Sequence, residues 1–305
     1  MKRKKGDFLK YIIFLLGLVT VSLLVFTAVR DNNDAYCLSI PKSSVVFSPF
    51  EIDGNAELDT WAITNSPDTD GLSWTTAHVI EDYEIDASSA TYGIRIMNTN
   101  KCLIIRNCEV SMASRDGIAL MMCENVKIMD CNLYDNEQCG LRLASSSDLV
   151  VSDNVARRNT FGFNSQGSNH CNITKNIAEN NNIDGFDFLG SNNMNVIGNT
   201  AKNSECGIYL ANSDSNTISD NKISSMTSNG IYLRADCDNN EVFNNRMCDN
   251  EPENVVDLGT NNNIYDNTCS SAGIPGYNLI GLIGFAVISI VGTSIIISVK
   301  KKNYK

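Results

Sequence analysis

Along the middle of the chain, apolar residues alternate with other residues in short bursts, and each burst begins at a glycine. Ile94 and Ile96 follow Gly93, Ile118 and Leu120 follow Gly117, and Leu141 and Leu143 follow Gly140. Ile208 and Leu210 follow Gly207, and Ile231 and Leu233 follow Gly230. Alternation of period two predicts strands with one buried face. A polar run comes next, then a second apolar column: Ile104, Ile128, Val151, Ile173, Val196, Ile218, Val242 and Ile264. Three residues later stands a mostly asparagine column: Asn107, Cys131, Asn154, Asn176, Asn199, Asn221, Asn245 and Asn267. A third column of small or apolar residues lies two positions further on, at Leu133, Ala156, Ala178, Ala201, Ile223 and Met247.

With Gly162 and Gly185 included, the glycines are spaced 22 to 24 residues apart over seven repeats. Such a sustained period marks a coiled repeat architecture. No stretch of the repeats holds a 3.6-residue period over a helical length, so the repeat is built of strands. The same motif returns at the same phase, so each strand stacks on its equivalent in the next turn rather than in a hairpin. The expected fold is all-β: a parallel β-helix of about eight turns, with turns about 4.8 Å apart and right-handed by the crossover rule. A left-handed hexapeptide solenoid suits repeats of this length poorly. Asparagine tolerates the left-handed turn conformation and can hydrogen-bond along a stack. Cys131 interrupts the column and predicts a weaker rung there.

The Gly-Ile-x-Leu and Ile-x-Asp-Asn phrases resemble the parallel β-helix repeat, and among families the β-helix domain of the periplasmic copper-binding protein NosD. Residues 48–59 (SPFEIDGNAELD) and 78–110 are similar to the opening segment of archaeal surface proteins in this group. The resemblance covers roughly residues 48 to 270. It implies a fold rather than a reaction, because one fold serves many functions.

The ends predict a membrane protein. Lys2, Arg3, Lys4, Lys5 and Lys10 precede an uncharged apolar run at 11–29, which reads as a signal peptide or signal anchor. A second apolar run, 277–299, is followed by Lys300, Lys301 and Lys302 and is long enough to span a bilayer. The expected organisation is signal or anchor at 1–29, linker and cap at 30–90, repeats at 91–272, and an anchor with a basic cytoplasmic tail at 273–305. The β-helix then lies outside the cell on a single-pass or two-pass membrane protein. Ile274-Pro275-Gly276-Tyr277 resembles archaeal C-terminal sorting signals, which typically read Pro-Gly-Phe, and Tyr277 departs from them.

Charge narrows the partners. Between residues 11 and 299 there are 15 Lys and Arg against 34 Asp and Glu. Nucleic acid is excluded as a partner for so acidic a surface, whereas cations, sugars and proteins suit it. The eleven cysteines form no CxxC pair. Cys139 and Cys206 each precede a repeat glycine, and Cys102 and Cys171 are expected to share a column as small core fillers. Cys108 with Cys131, or Cys248 with Cys269, could bridge neighbouring turns outside the cell.

Candidate chemistry falls on the outward residue between the two buried ones: Arg95, Ala119, Arg142, Asn164, Asp187, Tyr209, Tyr232 and Asp257. Arg142, Asn164, Asp187, Tyr209 and Tyr232 are the candidate ligand-binding residues, since stacked tyrosines can lie against sugar rings beside carboxylate and amide acceptors. Tyrosine is equally an ordinary strand residue. As an enzyme, the chain would be a polysaccharide lyase or glycosidase using Arg142, Asp184 or Asp187, because glycoside hydrolysis needs paired carboxylates. No carboxylate cluster recurs on adjacent turns and the Asp-Pro-His-Glu phrase of alginate epimerases is absent, so the sequence leans towards binding or an adhesive role in the envelope. A NosD-like copper role would need His, Met and Cys together. The two histidines, His78 and His170, are far apart, and Met121, Met122 and Cys123 are consecutive. The nonapeptide calcium motif is missing too, so neither calcium nor copper is assigned ligands and no cofactor is expected.

Overall fold

A computed structural model describes residues 44–269. The apolar runs at 11–29 and 277–299, and the signal and anchor expected there, lie outside the described residues. Among the described residues, no helix is long and apolar enough to cross a membrane.

Three parallel sheets of nine strands each wind into a β-helix of about eight turns. Every turn visits the three sheets in the same order, as in Asp116–Met121, Val126–Met129 and Asn132–Tyr134. The first of these belongs to the sheet that carries the repeat glycines, here called the glycine sheet. Its strands pair in register, Ile118 with Leu141 and Leu141 with Phe163. The second sheet aligns Ile128, Val151, Ile173, Val196, Ile218 and Val242, and the third aligns Leu133, Ala156, Ala178, Ala201, Ile223 and Met247. These columns are buried and form one continuous interior. Burial of this apolar surface, at about 25 cal/mol per Å², is what makes the repeat stack.

Two positions shift from the sequence expectation at the N-terminal end. Ile105, not Ile104, pairs with Ile128 and is fully buried, while Ile104 pairs with Lys127 on the outer side. Leu103, Ile104 and Ile105 are all apolar, so alternation alone leaves their phase open. The shift carries the asparagine column with it: its first rung is buried Cys108, and Asn107 is exposed. Cys171 lies in the column of Leu149, since Val150 pairs with Asn172. That column continues to Leu103 rather than to Cys102.

The left-handed conformation belongs to the residue before each rung, not to the rung. Asp130, Asp153, Lys175 and Asp220 have φ between 55° and 58°. The rung asparagines have a different task. Asn154 donates its side-chain amide to the Ile128 carbonyl at 2.9 Å, and its oxygen accepts the Cys131 backbone N–H at 2.9 Å. The same geometry links Asn136, Asn159 and Asn181 after the third sheet. Serines form another ladder after the glycine sheet, with Ser146, Ser168, Ser191 and Ser213 linked turn to turn. Buried backbone groups at the corners are thereby satisfied.

A helix, Asn55–Asn65, precedes the repeats and was not signalled by periodicity. It buries only Leu58 and Ala62, and its Trp61 stacks on Phe50 at 6.0 Å between ring centroids. Of the two bridges considered, Cys248–Cys269 is a disulfide. Cys108 and Cys131 are free thiols in contact on neighbouring turns.

Candidate functional site

The repeat glycines leave room for the buried column of the third sheet, such as Ala156 beside Gly140 and Ala178 beside Gly162. A methyl group on Gly207 would sit 2.5 Å from both the Gly230 carbonyl oxygen and Ile223 Cγ2. The backbone therefore turns tightly against the next coil, and pairing is recorded on either side of the glycine, Asp184 with Cys206 and Phe186 with Ile208. Two side-chain columns run together past this bend. One holds Tyr92, Asp116, Cys139, Phe161, Asp184 and Cys206. The other is the predicted column, with Arg95, Ala119, Arg142, Asn164, Asp187, Tyr209 and Tyr232 in unbroken register. Its last member is Val256 rather than Asp257, which pairs with Leu233 instead.

The five candidate binding residues thus stand on five consecutive turns. Asn164 donates to Asp187 at 2.6 Å. Arg142 donates to Gln166 at 2.6 Å. The Tyr209 and Tyr232 rings are stacked, with centroids 5.6 Å apart and planes 7° from parallel. Asp187 and Asn164 lie in the outward column, yet they are only 4% and 6% exposed. Among the described residues, nine buried side-chain polar atoms have no hydrogen-bond partner, and six belong to this face. They are Arg95 Nε, Asp116 Oδ2, Arg142 Nε, Asn164 Oδ1, Asp187 Oδ1 and Asn229 Oδ1. Such atoms cost about 1–3 kcal/mol each when left unpaired, and their concentration on one strip makes this face the candidate site.

Burial pushes the Asp184 carboxyl up to about 8, helped by the charges of Asp187 and Glu205. Burial also raises Asp187, to about 6, against the opposing hydrogen bond from Asn164 and the charge of Arg142. Near neutral pH Asp184 holds a proton while Asp187 is largely ionised. Two carboxyls with separated pKa values are the raw material of acid–base chemistry. Asp116 is raised as well, chiefly by burial. Burial raises the Tyr209 hydroxyl, opposed by a hydrogen bond with Arg234.

Sequence reasoning missed Asp116, Gln166, Asn229 and Arg234 on this face. The signal for two of them was available: Asp116 and Asn229 immediately precede repeat glycines, as Asp184 does.

Among the described residues, no group of three or more His, Cys, Asp or Glu side chains is placed to hold a metal ion. His78 is 1% exposed, with Nδ1 at 2.7 Å from Thr69 Oγ1 and Nε2 at 2.8 Å from Asp59. His170 sits on a distant turn with φ of 56°. Cys123 is buried, whereas neighbouring Met122 is 57% exposed.

Solved structures with the same coil include a double mutant of the periplasmic alginate epimerase AlgG, at 17% identity and a TM-score of 0.50 over 62% of this chain and 50% of that one. The A-module of the Azotobacter vinelandii mannuronan C-5 epimerase AlgE4 matches at 16% identity and a TM-score of 0.50, over 61% of this chain and 64% of that one. Tailspike protein 2 of an Escherichia coli bacteriophage matches at 12% identity and a TM-score of 0.50, over 67% of this chain and 30% of that one. The chain spans about half the length of the AlgG epimerase, and identities this low establish the fold alone. No curated protein matches by sequence. The profile of the periplasmic copper-binding protein (NosD) family matches residues 54–164 and 77–281, well over half of the sequence, and the chain belongs to that family.

Proposed function

We propose that the protein binds carbohydrate on the outer face of its glycine sheet and presents this face outside the cell, held at the membrane by its apolar ends. The observation that carries the reading is the coincidence, on one strip, of six buried polar atoms without a hydrogen bond and the Tyr209–Tyr232 stack. Aromatic faces supply apolar area for a sugar ring, and fixed amide and carboxylate oxygens accept hydroxyl protons. Alginate epimerases are built on the same coil. An exported location agrees with the periplasmic description of the family. The apolar runs at 11–29 and 277–299 support membrane attachment.

The test is a glycan array probed with the full-length protein in detergent. Binding that disappears in the Tyr209→Ala, Tyr232→Ala double variant supports the reading. An array without hits, or hits unchanged in that variant, overturns it.

A second reading is favoured by the carboxyls at about 8 and about 6: a glycan-cleaving enzyme, lyase or hydrolase, with Asp184 as acid and Asp187 as base. Product analysis on each array hit separates the two. Cleavage that is lost in Asp187→Asn supports the enzyme, and intact glycan after prolonged incubation supports binding alone.

A further inference from the structure

We propose that the ligand is a heteropolysaccharide strand lying along the coil, with an acidic sugar against Arg95 and Arg142 and a neutral sugar on Tyr209 and Tyr232. The inference rests on the carbohydrate reading and adds the charge pattern of the ligand and its direction.

The face is segregated along its length. Arg95, Arg115 and Arg142 fall within three consecutive turns, although basic residues are scarce between residues 11 and 299, 15 against 34 acidic; the fourth arginine of the face, Arg234, is taken up by Tyr209 and by Asp236 at 3.9 Å. Arg95 and Arg142 stand on either side of Ala119 in the same column, two strand spacings or roughly 10 Å apart. Ala119 is fully buried despite facing outwards, and its short side chain leaves the two arginines as the surface of that turn. Both guanidiniums are held in place. Arg95 donates to Glu51 at 3.1 Å and lies 4.7 Å from the centre of the Tyr92 ring. Arg142 donates to Gln166. Yet the Nε of each is buried without an acceptor.

An oriented guanidinium with an unspent donor suits a carboxylate or sulfate. The carboxylates facing these arginines are Glu51 on Arg95 and Asp116, which lies 3.6 Å from Arg115. Asp53 shares the outer face with Glu51 and is bound by Asn98, so three guanidiniums meet three carboxylates and this end is balanced, in contrast to the acidic excess of the chain.

Two turns beyond Arg142 the face turns acidic. Asp184 and Asp187 occupy one strand, and the nearest cation in their column is Arg142 itself. The tyrosine stack follows on the next two turns. A uniformly charged polyuronate would bring a carboxylate over Asp187, where like charges repel. A strand that alternates acidic and neutral sugars places its anionic group over the arginines, hydroxyls at Asn164 and Asp187, and a neutral ring on the tyrosines. Its acidic sugar then points to the N-terminal end of the coil.

The experiment is isothermal titration of the full-length protein with three probes: hyaluronan oligosaccharides, which alternate acidic and neutral sugars; oligogalacturonates, which are uniformly acidic; and cello-oligosaccharides, which are neutral. A glycan array sorted by charge runs beside it. The expected result is tightest binding to mixed-charge glycans, weakened tenfold or more by Arg142→Gln and by Arg95→Gln. Arg142→Lys is expected to recover part of the loss, with the circular dichroism spectrum unchanged throughout. Neutral or uniformly acidic glycans binding as tightly as mixed ones would overturn the inference. So would mixed-charge affinity unaltered by both glutamine variants. Neutral binding lost in the tyrosine double variant, with no acidic preference, sinks this inference while sparing the carbohydrate reading. Absence of any glycan binding sinks both.

Discussion

Asn199 takes both donors of the asparagine one turn before it. Its side-chain oxygen accepts the Asn176 backbone N–H at 2.8 Å and the Asn176 side-chain amide at 3.1 Å. Its own amide donates to the Ile173 carbonyl at 2.7 Å and to the Asn221 side-chain oxygen at 3.1 Å, so one side chain closes four interactions at a corner.

Replacing Asn199 with leucine strands those groups, and a loss of about 1–3 kcal/mol is expected. Asn195→Leu is the matched comparison, because Asn195 is an exposed strand residue whose amide reaches only the Asn172 side chain. Asn203 serves less well, since its φ of 55° would strain a leucine. Denaturant melts of the two variants provide the check, and equal midpoints would refute the ladder as a stabilising element.

The glycine sheet yields a second comparison. Gly207→Ala forces a methyl group against the Gly230 backbone at 2.5 Å. Gly190→Ala has room, with its nearest neighbour at 3.8 Å, but a φ of +61°. The Gly190 variant should lose about 1–2 kcal/mol from the left-handed backbone. The Gly207 variant should lose more, because the methyl meets the backbone of the adjoining coil as well as buried Ile223, and the backbone cannot swing aside. Thermal unfolding of both variants orders them, and the reverse order would contradict the close approach.

Stability should fall as the pH rises across the neutral range, as far as Asp184 and Asp187 are concerned. Their folded values of about 8 and about 6 lie above the ordinary 3.8. Below about pH 4 both states are protonated and the groups are neutral in their effect. Between there and pH 8 the unfolded chain releases protons that the folded chain retains, so unfolding gains with each step upward. Melting temperatures at pH 5 and pH 9 should show the decline, and Asp184→Asn should flatten it. An identical slope in the variant would place the Asp184 carboxyl in water.

Tyr209→Ala combined with Tyr232→Ala should leave the strand signature in circular dichroism intact. Both rings sit half-buried on the outer face, and their inward neighbours Ile208, Leu210, Ile231 and Leu233 keep the core. Loss of the fold in this double variant would show that the stack is structural and would undercut its role as a sugar platform.

The periodic glycines and alternating Ile and Leu positions made the coil legible, because each turn must repeat the same inward pattern to continue the same interior. The outward column was legible for the same reason, from Arg95 to Tyr232. Phase was not legible at Leu103-Ile104-Ile105, where three apolar residues fit either face. The serine ladder through Ser146 and Ser213 was also hidden, since serine in a polar run is an ordinary loop residue until another turn lies against it.

By itself the sequence determined the repeat length, the strands, the buried columns and the acidic balance of the chain, all of which depend on residue type and spacing. Only the tertiary structure decided that outward-facing Asp187 and Asn164 are nearly buried, and that Asp184 stands beside them with its carboxyl pushed up by burial. It also decided that Arg95 and Arg142 keep unspent donors. Burial, pKa and hydrogen-bond satisfaction depend on side chains some 23 residues away in sequence, brought one strand spacing apart by the coil. No local pattern can report what a residue on the adjoining turn covers or leaves exposed.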